Sequence, residues 1–268
     1  MVKAIVLGGA GRMGLRIINL IHGTEGIEVA GAVERKGHPA IGRDVGEIGG
    51  LGRIGISLSD DLAAAIGAGD VVIDFTHHEA VTGNLKRAVD HGKAAVIGTT
   101  GLSEEEQAEV QRLAPETRCV FTPNMSVGVN VLFKVMEYVT AIAGNDFDIE
   151  IIEAHHNLKK DAPSGTAVKL AQIIARGLDR NLDDVAVHGR SGMVGQRTAK
   201  EIGIHAVRAG DIVGEHTILF GGLGERLEFT HRAHSRDNFA KGAIKAALWI
   251  VNQPKGLYDM QDVLGLRV

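Results

Sequence analysis

At 268 residues, with 44% hydrophobic and 23% charged residues, the chain is long enough to bury a large core in one or two domains and too apolar to be disordered. A formal net charge of −4 argues against a dedicated nucleic-acid binder, and an aromatic content of 4% leaves little surface for stacking bases. Cys119 is the only cysteine, which rules out an intramolecular disulfide and a thiolate metal cluster.

The first apolar run, residues 4–7, is too short for a signal peptide, and no run approaches transmembrane length. A cytoplasmic protein without membrane contact is the expectation. The run reads as a strand buried on both faces. Gly8-Gly9-Ala10-Gly11-Arg12-Met13-Gly14 follows, then a helical pattern through Leu15, Ile17, Ile18 and Ile21, then a second strand over residues 27–33 that ends at Glu34. An acid about twenty residues beyond the last glycine completes the dinucleotide-binding pattern. The glycines allow a tight turn and close approach of pyrophosphate, and the helix start binds its charge. Glu34 is placed to accept from ribose hydroxyls, and Arg35 to meet a 2′-phosphate, so the pair points to NADH or NADPH as cofactor.

Residues 37–55 are glycine-rich and read as a surface loop, and Ser59 or Asp60 as the cap of a short helix through Ala65. Residues 71–75 form another buried strand. His77 and His78 follow it. Adjacent side chains are expected to diverge, and no acid or cysteine stands at ligand spacing, so the pair reads as loop and no metal site is expected. A helix over 79–91, a strand over 94–97, a capping box between Ser103 and Glu106, and a strand over 118–122 complete an alternating pattern. It predicts an α/β fold with an N-terminal Rossmann-type doubly wound parallel sheet. Gly8–Gly14, Thr76, Gly98–Gly101 and Thr122–Met125 fall at strand carboxyl ends, where ligands bind in such sheets.

The pattern then changes. A long helix spans 127–143 and a strand 147–154. A polar stretch, Glu153-Ala154-His155-His156-Asn157-Leu158-Lys159-Lys160-Asp161-Ala162-Pro163-Ser164-Gly165-Thr166, leads into a helix with Ala167, Leu170, Ala171 and Ile174 on one face. It reads as a loop between strand and helix. Ser164 caps the helix, Gly165 and Thr166 offer backbone N–H groups to an anion, and the histidines and lysines offer protons. Residues 178–195 show no clear period. Strand patterns at 202–208, 215–220 and 226–234 follow without intervening helices, which predicts a second α+β domain with an open mixed sheet. A last helix runs over 237–251. His188, His205, His216, His231 and His234 read as structural or surface residues. Taken alone, these features also suit another two-domain nicotinamide dehydrogenase, or a cofactor-binding sensor that does no chemistry.

The segment from Glu153 to Ala167 resembles the signature of the 4-hydroxy-tetrahydrodipicolinate (dihydrodipicolinate) reductase family. Residues 8–14, Gly98-Thr99-Thr100-Gly101, Pro123-Asn124-Met125-Ser126, Gly214-Glu215-His216-Thr217, and Ser235-Arg236 followed by Phe239 also fit it, so the resemblance covers nearly the whole chain. It implies a dinucleotide-binding domain over residues 1–126 on which the C-terminal segment 236–268 packs back. It further implies a substrate-binding and oligomerisation domain over 127–235, and a homotetramer. The implied activity is NAD(P)H-dependent reduction of a cyclic dicarboxylate in diaminopimelate and lysine biosynthesis. By position, His155 is the implied acid/base and Lys159, rather than Lys160, the proton donor. His156, Gly165 and Thr166 are implied substrate contacts. Gly8, Gly9, Ala10, Gly11, Arg12, Met13, Glu34, Arg35, Gly98, Thr99, Thr100, Thr122, Pro123, Asn124 and Met125 are implied cofactor contacts. Where some members carry basic or polar residues, this chain has Asn157-Leu158.

Overall fold

The computed structural model describes residues 1–267 and divides into two compact units, one made of residues 1–127 with the segment from Arg236 on, the other of Gly128–Ser235. In the first, β1 (Val2–Leu7), α1 (Arg12–His22), β2 (Ile27–Val33), α2 (Val45–Gly49), β3 (Leu58–Ser59), α3 (Leu62–Ala65), β4 (Val71–Asp74), α4 (His78–Asp90), β5 (Ala94–Ile97), α5 (Glu104–Leu113) and β6 (Arg118–Phe121) alternate along the chain. In the second, α6 (Val127–Ala143) precedes β7 (Asp148–His155), α7 (Gly165–Gly177), α8 (Leu182–Val185), β8 (Ala186–His188), β9 (Ile202–Arg208), β10 (Gly214–Gly221) and β11 (Arg226–Ala233). The chain then returns to the first unit with α9 (Asp237–Ile250), β12 (Gly256–Tyr258) and α10 (Met260–Val263). No helix among the described residues is long and apolar enough to cross a membrane.

The first unit is a seven-stranded parallel sheet in the order β12-β6-β5-β4-β1-β2-β3. All four residues of β4 and of β5 are buried, as strands covered on both faces must be. Gly14, Ile17, Ile18 and Ile21 form the buried stripe of α1. They join a core that includes Ala240, Ala243, Ile244, Ala247 and Ile250 of α9. Each fully buried isoleucine contributes about 1.5–3 kcal/mol. The strand β12 had no distinct sequence signal: three residues long, it is held by pairing with β6 from Gly256–Arg118 to Tyr258–Val120.

The glycine-rich segment 37–55 is more than the expected surface loop. The Asp44 carboxylate caps α2, accepting from Gly46 and Glu47, and also accepts from Ile54 and Gly55, which ties both ends of the excursion together. Val45 is fully buried as a result. The cap of α3 is Asp61, not Ser59 or Asp60: its side chain accepts from Ala64, while Ser59 Oγ accepts from the Asp61 amide. The capping box of Ser103 and Glu106 forms as expected.

The second unit is a mixed five-stranded sheet in the order β11-β10-β7-β9-β8. β10 is antiparallel to both β7 and β11, while β9 is parallel to β7 and β8. One face is covered: Ile149, Ile151, Ile202, Ile204, Ile218 and Phe220 pack with Leu132, Phe133 and Met136 of α6 and Leu170, Ala171 and Ile174 of α7. Residues 178–195, without period in sequence, contain both α8, capped by Asn181, and β8.

Candidate active site

The sequence reading ended the strand before the histidines. The structure carries β7 one residue further, because His155 pairs with Arg208 of β9 and its carbonyl accepts from the Ala209 amide at 2.9 Å. With a period of two, Glu153 and His155 then share the covered face with Ile149 and Ile151. The apolar stripe of the strand ends in an acid and a base.

Glu153 is fully buried. Its Oε2 accepts from His155 Nδ1 at 2.5 Å and from Arg208 at 2.9 Å. Its Oε1 accepts from a second Arg208 nitrogen at 2.8 Å and from the Ser164 amide at 3.0 Å. Burial alone would raise the carboxyl pKa, but the Arg208 fork, then His155, then the Ser164 amide hold it below the ordinary value. The Ser164 amide is thus taken by the protein's own carboxylate, and Ser164 Oγ caps the helix by accepting from Ala167.

This environment sets the state of His155. An ionised carboxylate only accepts, so the proton of neutral His155 lies on Nδ1 and its Nε2 is a base. Burial is the main cause of a lowered His155 pKa; Glu153 opposes it, and Lys159 and Arg208 add to it. Nε2 lies over β10, where a β-carbon on Gly214 would sit 3.1 Å away. His216, on the next inward position of β10, meets the His155 ring edge-on at 5.2 Å and places Nε2 3.0 Å from Ser164 Oγ. Its pKa is pushed down to about 3, by burial first and by the charge of His155 second, so it remains neutral when His155 gains a proton.

Residues 156–163 form the loop to α7. The Lys159 amide donates to the His156 carbonyl, the Asn157 amide to that of Gly210, and Arg208 to that of Asp161 at 2.7 Å. Lys159 Nζ donates to both Asp161 carboxylate oxygens at 2.9 Å. Lys160 and Leu158 are exposed. His156 Nδ1 is buried without a hydrogen-bond partner among the described residues. Gly165 is exposed and Thr166 half-buried in the first turn of α7. The second unit therefore gathers His155, His156, Lys159, Gly165 and Thr166 around one strand end.

The other group of expected residues lies at the carboxyl end of the first sheet. Gly8 adopts φ +70°, and a β-carbon on Gly14 would lie 2.1 Å from the Gly8 carbonyl, so the turn closes only with glycine there. No side chain among the described residues caps the start of α1. Glu34 accepts from the Ala10 amide at 3.2 Å and from the Arg35 amide at 3.0 Å, holding the glycine loop against the end of β2. Gly8, Gly11, Glu34 and Arg35, with Thr76 and Arg87, line a cavity of about 460 Å³. A glycine cradle, an uncapped helix start and an acid in one cavity fit a dinucleotide.

The remaining expected cofactor residues do not line this cavity. Gly9 packs on Ala32 and Leu58, and Arg12 is exposed. Gly98 lies under the Phe75 ring, and Thr99 donates to the carbonyls of Asp74 and Thr76, so the end of β5 abuts that of β4. Thr100 and Pro123 are exposed; the Thr122 hydroxyl donates to the Asn124 carbonyl; Met125 is buried.

Comparison with known proteins decides the family. Residues 2–125 match the model described as dihydrodipicolinate reductase, N-terminus, and residues 128–264 the one described as dihydrodipicolinate reductase, C-terminus. The chain belongs to the dihydrodipicolinate reductase family. It is 56% identical over 267 residues to the 4-hydroxy-tetrahydrodipicolinate reductase of Syntrophus aciditrophicus (strain SB), covering 100% of both chains. It is 55% identical to that of Syntrophobacter fumaroxidans (strain DSM 10017 / MPOB), with the same coverage. Among solved structures it is similar to a dipicolinate-bound dihydrodipicolinate reductase from Paenisporosarcina sp. TG-14, with a TM-score of 0.77, 25% identity and 98% of each chain covered.

Three further residues of this reductase complete the cluster around His155: Glu153, Arg208 and His216. Glu153 opens the polar stretch without a role of its own, and Arg208 figures only as the end of a strand pattern. His216, grouped with structural histidines, touches the ring of His155. Glu153 carried a usable signal, since it stands two residues before His155 at the end of a strand. His216 carried one too, within Gly214-Glu215-His216-Thr217, whereas Arg208 carried none, because it arrives through strand pairing. The reading of His77-His78 needs correction. His77 precedes α4 and His78 opens it, and their rings lie 4.3 Å apart rather than diverging. With Glu79 they bring ligand atoms within 4.8 Å of one another, a grouping able to hold a metal ion, although His78 Nδ1 already pairs with Glu106 at 2.9 Å. His77 and Glu79 are largely exposed.

Proposed function

We propose that this chain reduces 4-hydroxy-tetrahydrodipicolinate to tetrahydrodipicolinate with NADH or NADPH, in diaminopimelate and lysine biosynthesis, and that His155 and Lys159 manage the proton. The observation that carries this reading is His155, with Nδ1 fixed on Glu153, at the head of the loop that bears Lys159.

Gly8–Met13, Glu34 and Arg35 hold the dinucleotide, with Gly98–Thr100 and Thr122–Met125 along the same edge of the sheet. The reduced dinucleotide, when bound, supplies a hydride. The substrate, a cyclic dicarboxylate, becomes a conjugated imine on loss of water. Hydride added to its alkene carbon moves an electron pair toward the ring nitrogen, and one proton completes the product. Water, one hydride and one proton account for every atom exchanged. Lys159 delivers the proton as an ammonium, and His155 Nε2 exchanges protons beside it. His156, whose buried Nδ1 has no hydrogen-bond partner among the described residues, and the first turn of α7 at Gly165 and Thr166 hold a substrate carboxylate. Asp161 now neutralises Lys159, and the incoming carboxylate takes over that role.

The first unit serves the dinucleotide, and the second serves the substrate and the contacts of a homotetramer in the cytoplasm. Ile152 and Val207 lie 40% and 44% exposed on the face of the five-stranded sheet opposite the covered one, which suits burial between subunits. Light scattering tests this directly.

The deciding experiment forms the substrate in place from pyruvate and aspartate semialdehyde with a synthase, adds this protein, and follows loss of reduced-nicotinamide absorbance with NADH and NADPH separately. Protein-dependent oxidation is expected with at least one of them. Folded protein that binds cofactor but oxidises neither overturns the reading.

A further inference from the structure

Glu153 exchanges no proton in the reaction above, yet it is a carboxylate held entirely inside the second unit. It is completely buried, and four donor contacts converge on its two oxygens. A buried ion pair is a poor device for stability alone, because its desolvation offsets most of its attraction. What this pair does uniquely is orient. We propose that Glu153 and Arg208 are positioning residues that hold His155 with its proton on Nδ1 and its Nε2 bare, and that Arg208 ties this state to the Lys159 loop through the Asp161 carbonyl.

The geometry argues each part. Arg208 stands opposite His155 in the β7–β9 register and sends two nitrogens to Glu153, so the carboxylate cannot turn away from the imidazole. The Ser164 amide fixes the same carboxylate from the start of α7. Arg208 also donates to the Asp161 carbonyl at 2.7 Å, two residues from Lys159. One guanidinium therefore sets the spacing between the strand that carries His155 and the loop that carries Lys159. The groups facing His155 are then Glu153 on its own strand, Arg208 on β9, His216 on β10, and Lys159 with Asp161 on the loop. Of these, Glu153 is the one that accepts from its Nδ1.

An isosteric change exposes the role. In Glu153→Gln one oxygen is replaced by an NH2 group. The remaining oxygen is drawn to the Oε1 place, where Arg208 and the Ser164 amide both donate, since an NH2 there would face two donors and at the Oε2 place only one. The NH2 then faces His155 Nδ1, which must accept, and the proton moves to Nε2. The variant has the same shape and the wrong tautomer.

This inference rests on the acid/base reading of His155, and the test separates the two. Long-range proton–nitrogen spectra of the full-length, cofactor-bound protein labelled in histidine, with His155→Ala for assignment, read the tautomer. Wild type is expected to show neutral His155 protonated on Nδ1, and Glu153→Gln to show it on Nε2. The variant should lose about 10²-fold or more in kcat, with KM for the dinucleotide within about twofold, and the acidic limb of its pH profile should move to lower pH. Glu153→Asp should recover part of the activity and the native tautomer. A wild-type spectrum with neutral His155 protonated on Nε2 overturns the proposal without any variant, which covers the case of a Glu153→Gln that does not fold. A folded Glu153→Gln with wild-type kcat and pH profile, beside an inactive His155→Ala, also overturns it and leaves the acid/base assignment standing. Full turnover in His155→Ala removes that assignment instead, and the tautomer spectra then decide alone whether Glu153 and Arg208 set the ring.

Discussion

Gly214 on β10 faces His155 so closely that any β-carbon would lie 3.1 Å from the imidazole Nε2. Contact at that distance can be relieved only if the ring yields by a few tenths of an ångström, and the ring is pinned at its other nitrogen by Glu153. Gly214→Ala is therefore expected to displace Nε2, the atom proposed to exchange the proton. Steady-state assays should show kcat lowered by about tenfold or more, while the dinucleotide KM changes little. Unchanged kcat would mean that the Nε2 face takes no part.

His155→Ala and Lys159→Ala should each lower kcat by about 10²–10⁴-fold, the usual worth of a positioned proton-transfer group. Lys160→Ala, on an exposed side chain, should keep near-native turnover. Rates for the three variants in the coupled assay distinguish the two lysines.

The cofactor choice divides between neighbours. Glu34 holds the Ala10 amide as well as facing the cavity, so Glu34→Ala should weaken both dinucleotides. Arg35 lines the cavity without supporting the glycine loop through its side chain. Arg35→Ala should lower kcat/KM for NADPH by about tenfold, one charge–phosphate contact of roughly 1.4 kcal/mol, with NADH nearly unaffected.

Stability should depend on pH through His216. Unfolded, it titrates near the ordinary value of 6.5; folded, it is held down to about 3 by burial, then by His155. Between those limits the unfolded chain binds the extra proton. The contribution is therefore whole above about pH 7 and is lost as pH falls, by at most about 1.4 kcal/mol per pH unit from this group. His155, also lowered, acts in the same direction. Urea midpoints measured from pH 7.5 to 5 should decline in wild type and decline less steeply in His216→Gln.

Cys119 is fully buried on β6, and burial pushes its thiol up to about 12. A thiol reagent such as dithionitrobenzoate should leave native protein unlabelled and react with one thiol per chain after denaturation. Rapid labelling of native protein would contradict the burial.

Local signals made much of this molecule legible. Apolar runs of four to six residues separated by amphipathic helices foretold the parallel sheet, and the loss of intervening helices after residue 200 foretold the mixed one. Ser103 and Ser164 announced their helix starts, because capping depends on residues three apart in sequence. The glycines at 8, 11 and 14 announced the dinucleotide turn for the same reason.

The surroundings of His155 were not legible in that way. Arg208 reaches Glu153 across 55 residues, and His216 reaches Ser164 across 52. No periodicity within a strand states which strand pairs with it, or in which register. Even the three-residue β12 exists only because β6 offers it an edge. The two sheets, the glycine turn and the polar stretch that holds His155 and Lys159 could be read from the sequence alone, since these follow from local period and side-chain chemistry. Tertiary structure decided which charges surround them, because strand register, set by burying one face of the sheet, brings distant residues to within hydrogen-bond length.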